Sequence, residues 1–242
     1  MIKFFRNIRG QLLIEGKMTK YFKYAIGEIL LVMIGILLAL QVNNWNEQRK
    51  QELVELSVLK ELKNDLEFSK NELDSINRYN LEYLKDYKLI KFFIDEDRPY
   101  EEVLDAAFSS LDVWEDPFLP TMGYESLKSK GIDLIKNDSL KREIVYVYDF
   151  AINGRVLNTK DWEWSFNQNT TQKFMVANIR RDIEEDLARP NNFEKLKTDD
   201  EFRNFLNILI LIRKSNIDVN NEVKKVIQKL IDHIEEELDA RI

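Results

Sequence analysis

Residues 25–42 read AIGEILLVMIGILLALQV, an unbroken apolar run in a chain of which a third is charged. A helix over Tyr24–Val42 is about 28 Å long at 1.5 Å per residue, close to the roughly 30 Å of a bilayer's hydrocarbon core. Tyr21, Phe22 and Tyr24 stand at one end and Trp45 at the other, where interfacial aromatics belong. The rest of the chain is too polar to wrap such a helix on every side, which argues against a soluble core helix. A cleaved signal peptide needs small residues one and three positions before the cut. With Ala39 as the last residue, Leu37 fills the other position. An uncleaved transmembrane helix over 19–45 is the expectation. The chain has no cysteine, so a lipoprotein anchor is excluded.

Lysine and arginine orient the span. Residues 1–24 carry a net +5, whereas residues 44–59 hold Arg49 and Lys50 against three glutamates. Positive charge stays on the cytoplasmic side, so the expected site is the inner membrane, with the N-terminus cytoplasmic and the body periplasmic. The chain's net charge is −7, leaving −12 beyond residue 24. An acidic body argues against nucleic acid as a partner. The bilayer itself is the first expected partner. Within the cytoplasmic arm, residues 1–18, the sequence IKFFRNIRGQLL puts Phe4, Ile8 and Leu12 on one helical face. Lys3, Arg6 and Arg9 lie largely on another, the pattern of an interfacial helix with its cations among headgroups. The same cations also serve simple topology.

Inside the span, Gly27, Leu31, Gly35 and Ala39 recur every four residues along one ridge. Small residues at this spacing let helices approach closely, so a homo-oligomer or a membrane-protein partner is expected. Glu28 lies about one turn inside the cytoplasmic boundary. An ionisable group in a span is a candidate functional residue. Pairing with Lys20 or Lys23 of a neighbouring helix and coupling to a partner both fit.

Residues 46–242 read as a helical body. Leu59, Leu62, Leu66, Ser69, Leu73, Ile76, Asn80, Tyr83, Tyr87, Ile90 and Ile94 alternate in steps of three and four, a coiled-coil-like heptad stripe. Neither Gly nor Pro occurs from 36 to 98, so one helix is expected from about Thr19 to Ile94. Asn137-Asp138-Ser139 opens a further helix with inner residues Leu140, Ile144, Val147 and Ala151. It is expected to run toward Leu187, with a bend near Asn153-Gly154. Thr198 and Glu201 form a capping box before a last helix with two adjoining apolar stripes, from Phe202 and Leu206 to His233 and Leu238. Residues 95–138, with three of the four prolines in their first part, are expected to form membrane-distal loops and short helices. Thr121 is expected to cap one such helix, ending at Gly131. The fold class is therefore all-α: one transmembrane helix continuous with an elongated antiparallel helical bundle capped by short helices.

Chemistry is sparse. The single histidine, His233, lies on a buried stripe near Glu237, and seven glycines leave no phosphate-cradling loop. No cofactor, metal or catalytic residue is indicated, and no enzyme is expected. Trp162, Trp164 and Phe166 form an aromatic cluster that reads as bundle core or as a ligand platform.

The N-terminal IKFFRNIR and the span YAIGEILLVMIGILLALQVNNWNE resemble a family of uncharacterised single-span membrane proteins widespread in Bacteroidota. TMGYESLKSKGIDLIKNDSLK at 121–141 is similar to a stretch of that family in which a Tyr-x-x-Leu-x-x-x-Gly run, here within 121–131, precedes a helix. The resemblance implies an inner-membrane protein with a periplasmic body and implies no activity. The leading expectation is a membrane-anchored scaffold or accessory subunit of an envelope complex. The alternative is a sensor-like ligand-binding module; its short cytoplasmic segment means that it signals through a membrane partner.

Overall fold

The computed structural model describes residue 14 and residues 18–241. The arm cations Lys3, Arg6 and Arg9, and the break expected at Gly16, lie outside the described residues. The chain divides into two compact units, residues 1–55 and 56–242.

Helix α1 (Met18–Asp95) contributes to both units and is unbroken, as the lack of Gly and Pro after residue 35 foretold. In the first unit its large apolar side chains point outward on all sides: Ile29, Leu30, Leu31, Val32, Met33 and Ile34 are all exposed, as are the others on to Val42. Among the described residues this is the one helix long and apolar enough to cross a membrane. In the second unit the pattern changes to a stripe. Leu59, Leu62, Leu66, Leu73, Tyr87 and Ile90 are completely buried, and the residues off this stripe are mostly exposed or half-buried.

The second unit is built on three long helical segments. The other elements are α2 (Val103–Ser109), α3 (Met122–Lys130), a 3₁₀ turn (Ile132–Leu134), α4 (Asp138–Val145), α5 (Asn158–Phe166) and α6 (Gln172–Asn178). They are followed by strands β1 (Ile179–Asp182) and β2 (Leu187–Pro190), then α7 (Phe193–Lys197) and α8 (Asp200–Asp239). Cross-contacts give the directions. Lys63 pairs with Glu235 at 2.7 Å, Asn77 with Asn220 at 2.9 Å and Asn80 with Arg213 at 2.9 Å, so α8 runs antiparallel to α1. Asn137 meets Glu237 at 2.8 Å and Asn216 meets Glu163 at 2.7 Å, so α8 is antiparallel to the α4–α6 segment too. With α1 as the first segment, α8 as the second and the α4–α6 stretch between them in sequence as the third, the first and third segments are therefore parallel, and residues 96–137 carry the chain back between them.

That return corrects one expectation: residues 95–138 are not confined to one end of the body. α2 packs in the same core cluster as Ile90 and Ile94, whereas α3 lies against the Leu62 turn of α1. The 121–131 motif makes the second contact. Gly123 N–H donates to Asp65 Oδ2 at 2.7 Å. Tyr124 stacks on Tyr148 at 4.6 Å, Leu127 is buried, and Gly131 takes φ +95° as it ends α3, a conformation natural only to glycine.

The α4–α6 segment is unusual. Among its buried residues Leu140, Ile144, Tyr148, Ile152 and Val156 recur every fourth position, with Val147 and Ala151 buried beside them, and Asn167, Thr171, Met175 and Ile179 repeat the spacing. In an α-helix a step of four drifts by about 40°, so such a stripe would wind off the core. The helix instead widens to i→i+5 bonding over Tyr146–Leu157 and again over Asn167–Thr171, which holds the stripe inward. The widening occurs where a bend was expected, around Asn153-Gly154.

Two further boundaries differ from expectation. The third segment stops at Asn178, and β1 pairs antiparallel with β2, Ile179 opposite Pro190 and Asp182 opposite Leu187. Asp182 Oδ1 accepts from the N–H groups of Glu184 and Glu185, and Asp186 takes φ +52°. This Asx turn, with Ala188 fully buried, outweighs a composition that favours helix. The last helix is capped by Asp199, whose carboxylate accepts from Glu201 and Phe202 N–H. Thr198 instead closes α7, its hydroxyl donating to Lys195 O. The chain remains all-α apart from this one hairpin.

A Cβ at Gly123 would sit 3.0 Å from Leu62 N and 3.1 Å from Glu61 C, both backbone atoms that cannot turn aside. Gly123→Ala is expected to cost about 1–3 kcal/mol by pushing α3 off α1, read as a lower Cm in urea unfolding followed by circular dichroism.

Candidate functional site

The second unit has two apolar cores with a polar layer between them. One core gathers Leu59–Leu73 of α1, Leu140–Val156 and Val223–Leu238. The other gathers Tyr87–Ile94, α2, the hairpin and Phe202–Ile212. Between them lie Asn77, Asn80, Glu163, Arg213 and Asn220, all buried.

Arg213 is the centre of this belt, its side chain 2% exposed. Its Nη1 donates to Asn80 Oδ1 at 2.9 Å, and Nη2 donates to Val113 O at 3.1 Å. Nη2 also forms an ion pair with Glu163 of α5, which is itself 6% exposed. The guanidinium lies over the Tyr83 ring, 5.4 Å from its centroid, a cation–π contact. Asn216 Nδ2 supports the other Glu163 oxygen at 2.7 Å. Asn220 donates to Asn77 at 2.9 Å, and Asn77 donates to Asn221 at 3.0 Å. Every long segment thus supplies a polar group.

The electrostatics follow from burial. Burial opposes the charge on Arg213, but Tyr87 and Glu163 outweigh it and hold its proton more tightly than usual. Burial pushes the Tyr87 phenol up, with Arg213 pulling the other way. Tyr83 is pushed up by burial and by its hydrogen bond to Glu115. A cavity of about 20 Å³ is lined by Asn80, Glu115, Glu163, Arg213, Asn216 and Asn220, among others, about the size needed for one water molecule. Arg213 Nε and Asn216 Oδ1 are buried without a hydrogen-bonding partner among the described residues.

A second polar group joins the starts of α4 and the end of α8. Asn137 caps α4, its Oδ1 accepting from Ser139 and Leu140 N–H, while its Nδ2 donates to Glu237. His233 Nδ1 lies 3.0 Å from Glu143 Oε2. Burial pushes the Glu143 carboxyl up, but His233 and Lys229 outweigh it and hold it below its ordinary value. His233 is therefore partly buried and near Glu237, as its stripe suggested, with Glu143 as its direct contact.

The residues singled out from sequence are placed as follows. Leu31, Gly27, Gly35 and Ala39 are exposed on α1, and Glu28 is half-buried; no described atom comes within 4 Å of a Cβ built at either glycine. Trp162 and Trp164 are 54% and 46% exposed. Trp162 stacks on Phe166, which stacks on Phe205, whereas Trp164 turns to Trp114, 4.9 Å away. Sequence reasoning missed Glu163 and Arg213. The available signal was Asn80 and Asn216 on otherwise apolar stripes, with Arg213 one turn before Asn216 on the same face.

Residues 28–160 match a family of unknown function, DUF6090. The chain belongs to that family. No curated protein and no solved structure matches it. The DUF6090 match takes in the apolar half of α1, its buried stripe, Asn80 and the whole 121–131 motif. It ends three residues before Glu163, so both members of the central ion pair lie outside the match, whereas their partner Asn80 lies inside it.

Removing one member of a buried ion pair strands the other. Arg213→Met is expected to cost about 3–5 kcal/mol. Arg213→Met combined with Glu163→Leu should cost clearly less than the sum of the two single changes. Urea unfolding of the four proteins gives the coupling. The depressed Glu143 carboxyl contributes stability above pH 4.5, its ordinary value, and loses it as pH falls through the lower folded value. The melting temperature of the native chain should therefore exceed that of Glu143→Gln at neutral pH, and the gap should close in acid.

Proposed function

We propose that this DUF6090 member is a membrane-anchored, non-enzymatic scaffold or accessory subunit of an envelope complex. The observation that carries this reading is the girdle of α1. From Ile29 to Val42 its large apolar side chains are exposed around the whole circumference. Water would penalise each of them, and a bilayer is the solvent that matches them. The likeness of the span to Bacteroidota membrane proteins supports reading that bilayer as the inner membrane. The cationic residues before the span then hold the N-terminus in the cytoplasm, and the acidic body, residues 46–242, faces the periplasm. Gly27, Leu31, Gly35 and Ala39 offer a close-contact ridge to a second copy or to another membrane helix.

The body supports a structural role. Its long segments are held together by two apolar cores and the polar layer between them, a body built for fixed shape. Alkaline phosphatase fused after residue 241 should be active and green fluorescent protein at the same place dark; the reverse result overturns the orientation. Cross-linking in intact cells should trap a dimer or a heteromeric band, and Gly35→Ile should reduce it at least several-fold. A chain that runs only as a monomer, unlinked to any protein, overturns the scaffold reading.

A further inference from the structure

Between α2 and α3 the chain crosses from one core to the other without helix or strand. Leu111 is buried in the core that holds Tyr87 and Phe202. Leu119 packs against the core that holds Leu66 and Leu230. The seven residues between these apolar pins, 112–118, pass directly over the polar belt, and Glu115 and Pro117 form part of its cavity wall.

The middle of this segment is held largely by charge, with Trp114 against Trp164 and Phe118 against Phe68 as its aromatic contacts. Asp112 pairs with Arg181 of β1, and Asp116 pairs with Lys160 of α5 at 2.5 Å. Glu115 accepts from the Tyr83 hydroxyl, and Glu72 of α1 accepts from Phe118 N–H at 3.2 Å. Arg181 is 37% exposed and Asp112 19%, Lys160 28% and Asp116 53%. Such partly exposed ion pairs are individually weak and are screened by salt. The cores on either side are held by apolar burial, which salt does not weaken. The two kinds of attachment therefore respond oppositely to ionic strength.

We propose that residues 112–118 are an electrostatic strap over the belt, opening as a unit when its ion pairs are screened. Opening withdraws Val113 O from Arg213 and admits solvent to the Arg213–Glu163 pair while both cores stay folded. The strap makes hydration of the belt an event separate from unfolding. It ties that event to the ionic environment of the body.

The native chain has no cysteine, so single introduced thiols report access cleanly. Ile76→Cys lines the belt cavity, and Leu66→Cys lies deep in one core. In the full chain in detergent micelles, raising NaCl to about 1 M should speed thiol labelling at Ile76→Cys about tenfold, the combined hold of two exposed ion pairs. Adding Asp116→Asn should give much of that gain at low salt. Labelling at Leu66→Cys should not change. If Ile76→Cys does not fold, Val156→Cys lines the same cavity from the third segment and takes its place. Labelling at the cavity that ignores both salt and Asp116→Asn overturns the strap. So does labelling at Leu66→Cys that accelerates in step with it, since that is global unfolding.

Discussion

A guanidinium buried among three helical segments has to be answered from each of them, and Arg213 is answered by Asn80, Glu163 and the Val113 carbonyl. Leaving any of these groups unpaired would cost several kcal/mol, more than most apolar contacts here gain individually. A slip of one residue between α1 and α8 would separate Asn80 from Arg213 and turn the apolar stripes off the cores. The belt and the stripes therefore select the same register. Apolar contact alone tolerates sliding; a bidentate cation between fixed partners does not.

The belt also explains the division of the core. Apolar side chains on either side gather into separate clusters because the layer between them is filled by asparagines, Glu163 and Arg213. Glu163 lies between the two stretches where the third segment widens, Tyr146–Leu157 and Asn167–Thr171. Widening keeps the every-fourth-residue stripe on the inner face through its whole length, and Glu163 arrives on that face opposite Arg213. Residues 112–118 cross the belt, adding Glu115 and Pro117 to its cavity wall and the Val113 carbonyl to Arg213.

Much of this was legible in the residues. The stripe from Leu59 to Ile94 was readable because every member obeys the three-four step, and all but Tyr83 are buried. Asn137 was readable as a cap because its side chain acts on its own neighbours. The misreadings have a common origin. Thr198 and Asp199 both suit a cap, and which one serves depends on how α7 ends beside it. Residues 179–190 favour helix locally and become a hairpin because Ala188 and Ile179 close a core, while Arg189 reaches the buried Asp105. Glu163 and Arg213 look like surface charges until the two helices that carry them are paired.

The sequence by itself determined which stretch is long and apolar enough to cross a membrane, which residues are apolar enough to be buried, and where most helices begin, since these follow from composition and from interactions within a few residues. Only the tertiary structure decided the parallel course of the first and third segments, the widened helix, the hairpin and the buried ion pair. Each of these rests on contacts between groups far apart in the chain, and their energies exceed the small local preferences that a sequence reveals.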